Sequence, residues 1–139
     1  MGDFIAISKL AATVYTAYKE APNDYKNIAE EVKSLQGVIN KAAKHFKSTT
    51  LSSDDRRDGQ EALKSCQSVL EDLNSLIEKY RSLASTNKRL VFKRVKLGTE
   101  DIATLRARLT SNATLLSSFI RRLDASLLRI WYMMLIFLP

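Results

Sequence analysis

The sequence predicts an all-α protein: an antiparallel four-helix bundle with an apolar C-terminal tail. Three observations carry that prediction. First, apolar residues recur in alternating steps of three and four along three runs. These are Tyr25, Ile28, Val32, Leu35, Ile39, Ala42, Phe46; then Leu63, Cys66, Leu70, Leu73, Ile77, Tyr80; then Ile102, Leu105, Leu109, Asn112, Leu116, Phe119, Leu123, with one polar member. Such steps place each set on one face of a helix. Second, Phe4, Ile7, Leu10, Val14 and Tyr18 follow helical spacing at the N-terminus and supply a fourth apolar face. Third, 139 residues hold only four Gly and two Pro, which suits long helices and argues against a β-sandwich. Four such faces bury one another in a bundle, and a chain of this length forms one domain with a real core.

Each element has its own local signals. The first helix covers about 3–20, with Asp3 suited to the positive end of its dipole. Ala21-Pro22-Asn23-Asp24 ends it, because proline disfavours helical geometry at the preceding residue. Asn23 or Asp24 then caps a second helix over about 24–47. Thr49 to Ser53 is polar and reads as a loop, and Ser52 with Asp55 resembles a capping box. The third helix runs from about 54 to at least 84, and Gly59 inside its first turns costs about 1 kcal/mol relative to Ala. Gly98-Thr99 sets a boundary before the fourth helix, about 100–123. From 124 to 139 the chain turns strongly apolar, and Ile130 to Pro139 carries no charge. That stretch is half of the roughly 20 residues that a membrane span needs. The domain division is therefore a bundle over 2–123 and a tail over 124–139.

The net charge of +7 is unevenly placed. Residues 1–53 carry +2, residues 54–87 carry −2, and residues 88–139 carry +7. Such asymmetry suggests an anionic partner: membrane surface, nucleic acid or acidic protein. A secretory signal is not expected, since Asp3 stands where a basic n-region belongs and Lys9 and Lys19 interrupt the apolar residues. Met1-Gly2 suggests myristoylation, but Ala6 occupies the place of the Ser or Thr that motif wants.

Catalytic signals are weak, and the reading expects no enzyme, no cofactor and no metal. The lone Cys66 excludes an internal disulfide and a multi-cysteine metal site. It sits on the apolar register, which makes it a core cysteine rather than a nucleophile. The lone His45 lies near a helix end, where it suits the dipole. No glycine-rich phosphate loop exists. Acidic neighbours such as Glu30-Glu31 and Asp54-Asp55 read as solvated faces. Asn112 is either a buried polar residue that fixes register, or the face rotates and Leu115 replaces it.

One stretch has functional promise on composition alone. Lys88, Arg89, Lys93, Arg94 and Lys96 are interleaved with Leu90, Val91, Phe92, Val95 and Leu97. A basic and apolar segment suits an anionic bilayer, each cation contributing about 1 kcal/mol near the surface. A helix extension with a solvated basic face is the plainer reading. Nucleic acid is disfavoured, because Phe92 alone is a poor stacking platform.

Several strings resemble a known fungal family. They are Gly2-Asp3-Phe4-Ile5-Ala6-Ile7-Ser8-Lys9-Leu10, the Ala21-Pro22 turn, and Glu31-Val32-Lys33-Ser34-Leu35 in the Tyr25 helix. Phe92-Lys93-Arg94-Val95-Lys96-Leu97-Gly98 follows, and then Asp101 to Asn112, Leu115-Leu116 and Phe119-Ile120. Over about residues 2–122 the chain resembles the fungal N-terminal domain of STAND proteins, the HeLo-like group. The resemblance implies a four-helix bundle that precedes a NACHT-type NTPase and repeats in NOD-like receptors. It also implies signalling in programmed cell death, with membrane contact through an N-terminal apolar helix, here Phe4, Ile5, Ile7, Leu10 and Val14.

The leading expectation is a non-enzymatic signalling and protein-interaction module. Its partner is a second copy or a STAND-type receptor, and its site is cytoplasmic with membrane association. Contact residues are Phe4, Ile7, Leu10, Lys88, Arg89, Lys93, Arg94 and Lys96. On this reading Phe4→Glu with Leu10→Glu removes membrane activity and spares the fold. One alternative is a peripheral or tail-inserted membrane protein that uses the basic stretch and the tail. The other is an inactive, shortened paralogue, because the tail from about Leu127 departs from the family pattern.

Overall fold

The computed structural model describes residues 2–21, 25–48, 51–83 and 102–137. Among the described residues it is all-α, with four helices packed into one bundle. They are α1 (Gly2–Lys19), α2 (Lys26–Ser48), α3 (Ser53–Leu83) and α4 (Ile102–Phe137). The basic stretch, with Lys88, Arg89, Lys93, Arg94 and Lys96, lies outside the described residues.

Most residues of the registers read from the sequence become the core, with Phe46 and Ile102 half-buried against it and the Tyr80 side chain outside the described residues. Val32, Leu35, Ile39 and Ala42 of α2 are fully buried, as are Cys66, Leu70 and Leu73 of α3 and Leu116 of α4. Asn112 keeps its place on the buried face, and its Nδ2 donates to the Ser65 carbonyl of α3 at 3.2 Å. Leu115 is 59% exposed, so the face does not rotate. The partner matters because a buried amide without one costs about 1–3 kcal/mol. In α1 the face differs by one residue from the expectation. Ala11 is fully buried and Leu10 only half-buried. Phe4, Ile7, Ala11, Val14 and Tyr18 thus make the same three-four register as the other helices.

Side-chain pairs give the helix directions. Ser8 Oγ donates to Asn40 Oδ1 at 2.9 Å, and Phe4 meets Phe46, so α1 and α2 are antiparallel. Arg106 grips Glu31 at 2.6 Å and His45 meets Asp124 at 2.6 Å, so α2 and α4 run parallel. Arg108 pairs with Asp72 and Arg122 with Asp58, so α3 and α4 are antiparallel. Helices consecutive in sequence are therefore antiparallel. Around the bundle, however, the order is α1, α2, α4, α3, and α2 and α3 sit diagonally. Tyr18 ties α1 to α3, its hydroxyl donating to the Leu73 carbonyl at 2.7 Å, and burial pushes its phenol pKa far up.

The start of α3 is built as the sequence suggests. The Asp55 N–H donates to Ser52 Oγ at 3.1 Å, half of a capping box, with Asp54 and Asp55 in the first turn. Gly59 has a reason beyond propensity. A Cβ there would lie 2.3 Å from Phe46 Cζ and 2.9 Å from Phe119 Cζ. The bare backbone lets α3 approach both rings. Overpacking a site of this kind costs about 1–3 kcal/mol, whereas Ala gains about 1 kcal/mol over Gly in helix propensity. Gly59→Ala is therefore expected to lower stability by about 1 kcal/mol in urea denaturation. A gain of that size would mean that Phe46 swings aside freely.

Candidate functional site

The fourth helix does not stop at residue 123. It continues unbroken to Phe137, fourteen residues beyond the last core side chain, Leu123. The expected boundary was a loss of amphipathic pattern, and that is not a helix stop. Neither Gly nor Pro occurs between Ile102 and Phe137, and Leu, Met and Ala are good helix formers. Residues 124–137 form an arm about 21 Å long at 1.5 Å per residue.

From Ile130 to Phe137 the arm is apolar on every side. Leu128 and each residue from Ile130 to Phe137 are exposed, between 55% and 75%. A helix apolar on one stripe packs on a surface, but a helix apolar all round belongs in an apolar surrounding. Contiguous exposed apolar patches are found at protein–protein and membrane interaction sites and at ligand grooves. Among the described residues no helix is long and apolar enough to cross a membrane.

The arm leaves from one end of the bundle, where all four helices contribute. The ring of Phe46 of α2 meets Phe4 of α1 at 4.9 Å between centroids and Phe119 of α4 at 5.9 Å, both pairs tilted. Gly59 of α3 lies under the last two rings. The exit point is pinned twice more. His45 Nε2 is 2.6 Å from Asp124 Oδ1, the first residue of the arm, and Arg122 reaches Asp58 at 3.1 Å. His45 Nδ1 lies 3.0 Å from the Lys41 carbonyl, one turn back in α2. The Asp124 hydrogen bond, and then the Lys41 carbonyl, raise the His45 pKa above 6.5.

Other candidate residues fall in different places. Phe4 and Ile7 are core residues, 7% and 3% exposed, and Leu10 packs half-buried against the core. Contact with a membrane or partner through them requires α1 to leave the bundle. Cys66 is fully buried, which pushes its thiol up to about 12. Glu31 is not merely solvated, since both its carboxylate oxygens accept from Arg106. Its partner lies 75 positions away, so no local pattern announced it. The sequence signals for the arm were its uncharged run and the lack of Gly and Pro before Phe137.

The chain matches no family model, and no curated protein or solved structure is similar to it.

Two outcomes follow from this geometry. Phe4→Glu puts a carboxylate against Phe46 in the core. It should cost about 3 kcal/mol or more, seen as a large fall in the urea midpoint. That burial overturns the idea that Phe4→Glu with Leu10→Glu spares the fold. The His45 pair contributes a pH dependence whose sign follows from its raised pKa. Its stabilisation is fully present below pH 6.5 and is lost as pH rises through the folded-state value. The gap in stability between wild type and Asp124→Asn should be widest at the acid side of that window and close above it.

Proposed function

We propose that this protein is a non-enzymatic signalling and interaction module that docks on a membrane through the helical arm, residues 124–137. The observation that carries this reading is the unbroken run Ile130 to Phe137, exposed on all faces of one helix. A partner helix or groove would cover one side of such an arm and leave the other in water. The hydrocarbon of one leaflet covers every side. Eight residues are about 12 Å long, close to the roughly 15 Å depth of one leaflet. Arg129, Trp131 and Tyr132 stand at its base, residue types that favour the membrane–water interface.

Magnitudes favour reversible docking. Each Leu, Ile or Phe contributes about 0.3–0.6 kcal/mol on the insertion scale, so the arm supplies only a few kcal/mol. Cations near an anionic surface, at about 1 kcal/mol each, are then a comparable contribution. The resemblance to fungal STAND N-terminal domains supports a cytoplasmic signalling role, with a second copy or a STAND-type receptor as protein partner. In this reading the membrane contact uses the arm, while Phe4 and Ile7 remain in the core.

Trp131 is the sole tryptophan of the sequence and lies in the arm, so its emission reports directly on docking. Phospholipid vesicles should shift that emission to the blue. Ile130→Lys with Leu135→Lys should remove the shift and leave the unfolding midpoint unchanged, because neither side chain touches the core. Emission indifferent to vesicles would refute membrane docking. A blue shift that instead grows with protein concentration in plain buffer would favour self-association through the arm.

A further inference from the structure

A second feature lies at the same end of the bundle as the arm. The first turns of α1 and the last turns of α2 enclose a groove of about 340 Å³. Phe4, Ile5, Ser8 and Lys9 line it from α1, and Asn40, Ala43, Lys44 and Lys47 from α2. Every charged side chain in that lining is a lysine. Its floor is fixed, since Ser8 donates to Asn40 across it and Phe4 is locked onto Phe46. Ile5 stands on the rim and is 55% exposed. The volume lies in the range of small-molecule sites, about 300–1,000 Å³. A lining that joins apolar side chains and lysines matches a ligand that joins an anionic group to a hydrocarbon.

The arm sets where this groove would stand. Asp124, held by His45, lies at the level of the end of α2, and Ile130 begins the uncharged run. The six residues 124–129 between them span about 9 Å. The polar layer of one leaflet is about 5–8 Å thick. With the arm in the hydrocarbon, the end of the bundle that carries the groove therefore rests at the level of the lipid headgroups.

We propose that the groove between the start of α1 and the end of α2 is a headgroup site for an anionic phospholipid, its phosphate meeting Lys9 and Lys47 and its glycerol end lying against the exposed Ile5. This inference rests on the arm entering a leaflet, and it gives the docked protein a preference for lipid charge. Opposite charge close to an anionic surface contributes about fivefold in affinity per cation.

The test compares the full chain on vesicles of phosphatidylcholine alone and of phosphatidylcholine with phosphatidylserine, read by Trp131 emission. Lys9→Gln with Lys47→Gln should lose about 25-fold of the affinity for the charged vesicles, with docking on neutral vesicles unchanged. Lys19→Gln with Lys33→Gln removes the same charge at the opposite end of the bundle, where both lysines sit over Tyr15. That variant should keep the wild-type preference. Equal losses in the two variants, or no loss in the first, would overturn the site in favour of diffuse attraction. A separate titration with monomeric dihexanoyl phosphatidylserine needs no insertion. Saturable amide shifts at Ile5, Ser8 and Asn40 would uphold the groove even if Trp131 never entered a vesicle, and only the arm reading would then fail. Absence of those shifts, or identical shifts with inorganic phosphate, would overturn the lipid site whether or not the arm inserts.

Discussion

The seating of Phe46 between Phe4 and Phe119, over the bare backbone of Gly59, is the contact on which the arm-bearing end of this protein depends. Each of the four helices contributes one residue to it. Phe4 sits in the first turn of α1, Phe46 in the last turn of α2, Gly59 in the second turn of α3, and Phe119 one turn before α4 leaves the core. The contact brings the start of α1 beside the end of α2 and so shapes the lysine-lined groove. It also places His45 opposite Asp124, and so sets where the arm emerges. Aromatic pairs contribute about 0.5–1.5 kcal/mol beyond their buried area, which suits a cluster that locks the ends of four helices together.

Most of the core was legible because helical burial repeats at short range. A three-four spacing is visible in a window of a dozen residues, and Ile28, Leu35, Leu70, Leu109 and Leu116 all became buried as it implied. Asn112 was legible in position but not in role, since its acceptor, the Ser65 carbonyl, lies on another helix. Leu10 was placed on the wrong side of a boundary because size was read as burial. The small Ala11 holds the fully buried position instead. Gly59 read as a local weakness, and only packing shows the two rings that a side chain there would strike. The ring order of the bundle was out of reach. Apolar faces specify that helices pack, not which ones share a side, and the diagonal placement of α2 and α3 emerges only from contacts far apart in sequence.

The candidate site was legible only in part, for a related reason. Periodicity measures what a helix packs against, and from Leu128 on none of the arm's side chains belongs to the core formed by the described residues. Its uncharged run was plain, yet its continuity with α4 was not, because the end of an amphipathic pattern resembles the end of a helix. The signal that distinguishes them is the lack of Gly and Pro before Phe137. The His45–Asp124 pair was hidden by a separation of 79 residues.

The continuity of α4 has an energetic meaning for docking. A short apolar peptide must form its first helical turn before it can enter hydrocarbon, since bare backbone polar groups are costly there. That nucleation is unfavourable by a factor of about 10³, or about 4 kcal/mol. In this protein the buried half of α4 is already folded against α2 and α3, and the arm extends an existing helix. Ser126 Oγ donates to the Arg122 carbonyl at 3.1 Å, so the first turn of the arm is joined to the packed part. The few kcal/mol that the arm can gain from a leaflet would be largely cancelled by nucleation in a free peptide. Attached to the bundle, the same residues would keep that gain in the proposed docking. The core uses no side chain beyond Leu123, so the arm takes its helical form from the bundle without contributing to the core's packing.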